Sequence, residues 1–465
     1  MRYLLVITIS LLASSAVYSS PEAARDSHTR ALDKTDLAHQ AFSKNFHQKL
    51  SQEKGNSSTS HTMASLEKAA QLLITNKDAV MAVNLIISNM PLLEANYDHP
   101  KTVQFIEILL AQNEKGSAEV LYDLIKEDGD QLLFSNSSYL FSTFEFKRNR
   151  WKRALEYLSN STADLATRDY HSALLMKGIS QQRLALHRSA IETYELIPPS
   201  SSEYLVARLN LAISNIRQGW WSEGHTIIER ALSDPKIQKN REAVNRIYLI
   251  LGYSLIKQQY FRNARDAFRH ITIDSKYTNR ALLGIALAAA SQEEYSDALS
   301  VIATLKEKQS YDLPTDESYL LSPYFYEQLS RSATASAGYF EAITYYQERI
   351  EAIKAAIHAD TSPREYLSDA AETIYVNNIP VKISPDVPQF LIDNYRLLDS
   401  YSLHVKNINN KALTEAFEQL KEKYEATITK MVDTILEQRV VHLNSYMDQA
   451  RYGLARLYDS KQDRN

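Results

Sequence analysis

Residues 210–232, NLAISNIRQGWWSEGHTIIERAL, and residues 251–268, LGYSLIKQQYFRNARDAF, share one pattern. A small residue is followed twelve positions later by Ala or Gly, and four after that by an aromatic or aliphatic side chain. These are Ala212, Gly224 and Ile228 in the first stretch, and Gly252, Ala264 and Phe268 in the second. The pattern returns as Gly178, Ala190, Tyr194 and as Ala286, Ala298, Ile302, so units begin near His171, Leu205, Asn245 and Asn279, spaced 34, 40 and 34 residues. Weaker copies begin near Met63, His99 and Ser135, at intervals of 36. Self-similarity at this period marks an array of helix pairs, each burying its apolar face against its neighbours. Small residues let the two helices of a pair approach, and bulky ones such as Tyr194, Leu251, Phe268 and Tyr346 fill the groove to the next pair. Trp221, Phe261, Tyr295 and Tyr339 read as aromatics shielding the inter-helix turns, and Pro198–Pro199, Asp234–Pro235 and Pro314 as breakers between pairs.

The composition agrees. The 465 residues are 44% hydrophobic, enough for a long continuous core. Only 10 are Gly, and neither GxGxxG nor GxxxxGK[ST] occurs, which argues against nucleotide-binding folds with phosphate-cradling loops. With no Cys, disulfides, thiolate nucleophiles and Cys-based zinc sites are excluded. A net charge of −4 leaves no overall electrostatic footprint for nucleic acid.

The chain opens with Arg2, an apolar run from Leu4 to Ala16, and small residues at Ser19 and Ser20. That is the pattern of a secretory signal peptide, residues 1–20, and it is too short to span a bilayer. The expected location is a bacterial periplasm. Residues 21–62 read as a polar lead-in and flexible linker. Leu37, Ala41, Phe42, Phe46 and Leu50 fall at helical spacing within them, which leaves a short docking helix as the alternative. Helical repeats occupy 63–357. The prolines and β-branched runs of 358–388 mark an irregular insertion, with a hairpin around Asn377–Asn378. In the C-terminal helical segment, 389–465, Leu413, Phe417, Leu420, Tyr424, Ile428, Met431 and Ile435 make one apolar stripe on a long helix. A separate last helix, YMDQARYGLARLYD, offers Ala455 as its small residue. The segment caps the solenoid or mediates a homodimer through the stripe.

The two quoted stretches resemble tetratricopeptide (TPR) repeats. The match lies in the small residue at repeat position 8, the aromatic at or beside 17, Ala or Gly at 20, and the aromatic or aliphatic at 24. It spans about three fifths of the chain, with extra residues before Asn245 and an insertion of ten before Pro323. The resemblance implies an all-α, right-handed superhelical solenoid whose first helices line a concave, peptide-binding face. It also implies that positions 2, 5, 9, 12 and 13 point into that face. Position 13 then presents Lys147, Arg183, Arg217 and Lys257, position 2 adds Arg246 and Arg280, and position 9 adds Ile179, Ile213, Tyr253 and Leu287. Such a ladder suits an acidic or C-terminal segment of a partner protein. Cations also favour helix C-termini for local reasons, so position 13 has an explanation without a ligand.

Catalytic patterns are sparse. No two of the twelve His stand three or four residues apart, and no GxSxG occurs. Glu317–Ser318–Tyr319 has the local look of the catalytic Glu-Ser of lytic transglycosylases, but it lacks the later Gly-Leu-Met-Gln and reads as linker. The expectation is a non-enzymatic periplasmic scaffold with no cofactor, metal, nucleic acid or membrane span. A peptidoglycan enzyme or its regulatory subunit and a chaperone for exported clients are the alternatives.

Overall fold

The structure, a computed structural model, describes residues 22–54, 60, 62–160, 165–308, 310–359, 362–367, 373–376, 378–382 and 387–462. The expected signal peptide lies outside the described residues. A long helix, α1 (Glu22–Lys54), comes first. The first three hairpins are α2 (Met63–Thr75) with α3 (Ala79–Ser88), then, after the short α4 (Met90–Glu94), α5 (Thr102–Ala111) with α6 (Lys115–Asp128), and α7 (Gln131–Lys147) with α8 (Trp151–Leu158). The fourth and fifth are α9 (Thr167–Arg183) with α10 (His187–Glu195) and α11 (Tyr204–Gln218) with α12 (Trp221–Leu232). After the short α13 (Pro235–Gln238) come α14 (Arg241–Lys257) with α15 (Phe261–Arg269), α16 (Thr278–Ser291) with α17 (Tyr295–Glu307), and α18 (Leu313–Gln328) with α19 (Ser332–Ile357). The fold is an all-α, TPR-like solenoid.

The eight hairpins turn in the same way. Lys77, Asn113, Asn149, Ala185, Gly219, Gln259, Glu293 and Ser330 each adopt a left-handed conformation, with φ from +56 to +84°. Each first helix ends in the same pair of backbone bonds, as where Asn149 N donates to Phe146 O (3.0 Å) and Arg150 N to Glu145 O (3.0 Å). Such a closure satisfies carbonyls that a helix end leaves orphaned. Counting fourteen residues back from the first seven turns gives Met63, His99, Ser135, His171, Leu205, Asn245 and Asn279, the unit starts read from sequence. The eighth unit starts at Asp316, not Pro323. Pro323 is its position-8 residue, inside α18, so the insertion is three residues rather than ten.

Packing follows the pattern. Ala70, Ala82 and Ile86 are buried in the first unit, and Ala335 and Tyr339 in the last. A Cβ on Gly178 would run into the Tyr194 ring, and one on Gly252 or Gly284 into the two edges of Phe268. The position-24 ring is thus held between its own first helix and the next one. Tyr339 is such a ring and does not shield a turn.

Beyond the array the chain has the short helix α20 (Pro363–Tyr366) and an antiparallel hairpin, β1 (Thr373–Val376) with β2 (Ile379–Lys382), in which Val376 pairs with Ile379. Asn378 lies between the strands at φ +66°. Two helices follow, α21 (Gln389–Ile408) and α22 (Lys411–Gln462). The last helix is one uninterrupted rod of 52 residues, so no separate terminal helix exists. Its C-terminal half runs antiparallel to α19 and takes the place of a ninth first helix. Gly453 meets Tyr339 as Gly284 meets Phe268, whereas Ala455 is exposed.

The N-terminal half of α22 joins α21 and α1. Residues 22–54 are therefore a docked helix and not a loose lead-in, and Ser51 is bonded to Ser88 (2.9 Å) rather than in a linker. The buried face of α1 is Thr35, Asp36, His39, Phe42, Ser43, Phe46, His47 and Leu50, while Leu37 and Ala41 point outward. Phe42 packs on Phe417 and Tyr401, and Phe46 on Tyr401. The apolar stripe of α22 is consumed there and against α19. Leu413, Phe417, Leu420, Tyr424, Ile428 and Met431 are all buried within one chain. With Ile435 half-buried as well, nothing among the described residues supports a homodimer through that stripe. Since α1 also contacts the first hairpins, the array and its end module close into one circuit of packed helices.

Candidate interaction surfaces

The hairpin turns form one edge of the array, and the residue just before each second helix stands on it. In chain order these are Asp78, Glu114, Arg150, Leu186, Trp220, Tyr260, Glu294 and Arg331. The first three are engaged by the end module. His404 on α21 reaches Asp78 at 3.1 Å. Glu114 accepts from Ser43, and His47 Nε2 stands 3.8 Å away. Arg150 pairs with Asp36 at 2.6 Å, Asp33 at 2.8 Å and Glu145 at 3.5 Å. Burial alone would raise the Glu114 carboxyl, but His47 and Ser43 outweigh it and hold it below its ordinary range. Burial pushes the neighbouring Arg148 guanidinium down to about 10, against the pull of Asp36. Arg148 also lies over the rings of Phe144 and, across the interface, Phe390.

In the next three repeats the same row is apolar and uncovered. Leu186 is 50% exposed, Trp220 37% and Tyr260 60%. The position-13 cations stand beside it. Lys147, Arg183, Arg217 and Lys257 are all exposed in the last turns of first helices, as the helix dipole favours. Arg183 leans over Trp151 (5.8 Å) and Lys257 over Trp221 (5.1 Å). Each ring opens the second helix of the preceding repeat. Arg217 neighbours His187, the equivalent residue one repeat back, and its charge adds to the burial that lowers that imidazole. Arg188 lies over Trp220 at 5.7 Å. Exposed cation–π pairs are worth about 0.5–1 kcal/mol, enough to fix where the cations point. The sequence showed the cations. It also marked Trp221 as a turn aromatic, but the pairing of cations with rings of the preceding repeat, and the Leu186–Trp220–Tyr260 row, emerge only once the turns are superimposed.

Three expected site residues stand elsewhere. Tyr253 is buried to 6% exposure, and its hydroxyl donates to the Arg280 carbonyl at 2.7 Å. It is covered by the next first helix and is not open to a partner. Arg246 and Arg280 are half-buried. Glu317 follows them at position 2 of the last repeat. It lies inside α18 rather than in a linker, buried under α22, where Tyr446 donates to it at 3.1 Å. Burial pushes its carboxyl up to about 7. A general acid requires that shift together with an open cleft, and α22 closes the site. Asp316 beside it is held by Arg439 (2.8 Å) and Tyr345 (2.8 Å).

An open hollow of about 780 Å³ lies between Ser362–Pro363 and α22, lined by Glu425, Lys430, Asp433 and Glu437. Its lining shares no residue with the ladder and is opposite to it in charge. No group of His, Asp and Glu among the described residues is arranged to hold a metal ion. No helix among them is long and apolar enough to cross a membrane.

No protein-family model matches the chain, and no curated protein matches it. Solved structures of helical repeats do. The C-terminal part of a TPR repeat-containing protein from Cytophaga hutchinsonii is 14% identical, covering 60% of this chain and 98% of its own, with a TM-score of 0.38. The apo form of RapI is 11% identical over 79% of this chain and 98% of its own, with a TM-score of 0.44. The TPR domain of P58(IPK) is 14% identical over 68% and 92%, with a TM-score of 0.22. At such scores the superpositions carry nothing about function. The repeat class rests on the eight turns and the 8–20–24 packing of the chain itself.

Proposed function

We propose that this protein is a non-enzymatic scaffold of the bacterial cell envelope, exported to the periplasm, that holds protein partners on its TPR-like array. One observation carries the reading. Exposed cations recur at one position in four consecutive repeats, Lys147, Arg183, Arg217 and Lys257, and two of them are oriented over aromatic rings. A regular row of oriented cations suits the carboxylates of an acidic or C-terminal protein segment. The burial of Glu317 beneath α22 weighs against peptidoglycan cleavage.

The test is a cross-linking capture from envelope extracts with wild type and with a variant carrying Glu at all four positions, its helicity checked by circular dichroism. Capture of a discrete partner by wild type and its loss in the folded variant is the expected result. Equal capture by both reduces the row to helix-end electrostatics. Export is checked separately, by fractionating cells that express the full chain.

A further inference from the structure

The covered and uncovered parts of the turn edge belong to one continuous surface, and the covered part displays its occupant. Helix α1 passes the turns of repeats three and two and then runs onto the second helix of repeat one, while α21 takes the turn of repeat one. Asp33 and Asp36 reach Arg150, Ser43 and His47 reach Glu114, and His47 and Ser51 reach Asn84 at the start of the array. A stretch of about 15 helical residues, Asp33 to His47, therefore spans two turns, at about 1.5 Å of rise per residue. Past Arg150 the row continues as Leu186, Trp220 and Tyr260, on turns of the same backbone shape. It ends at Glu294, which Arg265 of the preceding repeat engages.

We propose that the turn edge of repeats four to six docks an acidic amphipathic helix of a partner protein, laid across the turns as α1 is laid across those of repeats two and three. This inference rests on the scaffold reading and names its site and the chemistry of its partner. The occupant's character follows from the complementary residues. Leu186, Trp220 and Tyr260 call for an apolar stripe. Arg183, Arg188, Arg217 and Lys257 stand beside that row and call for Asp and Glu next to the stripe. On the covered part of the edge the same pairing of a basic turn residue with helix carboxylates is already made, between Arg150 and Asp33 and Asp36. An apolar stripe flanked by charge is the ordinary form of helix-on-surface recognition.

A display library of 20-residue helices with randomised outer faces, panned against the full chain, tests this without presuming a sequence. The expected winners carry an apolar stripe at i, i+3 or i+4, and i+7, flanked by Asp and Glu. Measured by fluorescence anisotropy, they bind the triple variant Leu186→Ser, Trp220→Ala, Tyr260→Ala at least tenfold more weakly. They weaken similarly against Arg183→Glu, Arg188→Glu. Both variants change exposed side chains, and retained helicity and melting midpoint verify their folding. The inference is overturned if no clone is enriched, if the winners are basic or neutral, or if they bind the triple variant as tightly as wild type. An envelope partner that is captured by wild type and equally by the triple variant would sink this inference and leave the scaffold reading standing. Acidic helices that bind the edge while no envelope partner is captured would do the reverse.

Discussion

The first three repeats and the next three share a turn, a period and a packing rule, yet their edges have opposite fates. In repeats one to three the residue after the left-handed turn is charged, and α1 and α21 supply its polar partners, carboxylates for Arg150, Ser43 for Glu114 and His404 for Asp78. In repeats four to six the same position is Leu, Trp and Tyr, and it faces solvent. The backbone of a repeat thus fixes where a side chain stands, and the choice at one position decides whether the chain covers its own edge. The covering is mostly polar: Thr35 bonds Thr427 (2.9 Å), and His39 Nδ1 lies 3.0 Å from the Tyr424 hydroxyl.

The sharpest way to break this contrast is Phe46→Ala. The ring is fully buried between α1 and Tyr401, so its loss should cost about 3–5 kcal/mol, as for other buried aromatics. The check is the denaturant midpoint, together with selective proteolysis within α1. Next is Glu317→Gln. Its folded-state pKa is raised to about 7 by burial, so the native state holds a proton that the unfolded chain releases, and this group's contribution falls as pH rises toward 7. The amide keeps an acceptor for Tyr446 and removes that cost. Its melting midpoint at pH 8 should rise by the equivalent of about 1–2 kcal/mol, with less gain at pH 5. No rise at pH 8 would show that Glu317 is solvated.

A smaller effect belongs to His39. Burial lowers its pKa, opposed by Glu114 and Asp36 and reinforced by Arg148 and His47, with Tyr401 and Tyr424 closing the remaining sides. The unfolded chain therefore takes up a proton before the folded one does. Stability should fall as pH drops below about 6.5, by at most about 1.4 kcal/mol per unit for one group. His39→Gln should flatten the pH dependence of the melting midpoint in that window, and an unchanged slope would assign it to other groups. The smallest effect is that of Tyr260→Ala, an exposed position on the uncovered edge, expected within about 0.5 kcal/mol of wild type by the same denaturant midpoint. A larger loss would mean that the uncovered edge also packs against its own chain.

The array was legible in the sequence because its rule is local. Positions 8, 20 and 24 lie within one hairpin and repeat at nearly constant period, so seven of the eight unit starts fell where the turns place them. The eighth was displaced because Pro323 resembles a breaker while serving as the small residue inside α18. The docking of α1 was legible only in part. Helical spacing picked out Phe42, Phe46 and Leu50, which are buried, together with Leu37 and Ala41, which point outward, and the rest of the buried face is Thr, Asp, Ser and His. The partners of that face lie hundreds of residues away, at Tyr401, Tyr424 and Thr427. On α22 the same search chose Ala455 over Gly453, because only the position of Tyr339 reveals which small residue is needed. Of the candidate site, the cations and the turn aromatic Trp221 were legible, and the stacking of one repeat's cation over the preceding repeat's ring was not. Tyr253 matched a groove position but lies under the next helix.

Hydroxyl-radical footprinting of the full chain, read residue by residue in mass spectra, tests the contrast between the two edges most directly. Leu186, Trp220 and Tyr260 should oxidise at least tenfold faster, after correction for intrinsic reactivity, than Phe42, Phe46, Tyr401 and Tyr424. Comparable rates for the two groups would contradict the closure of the first three repeats by α1, and with it the distinction between a covered and an open edge.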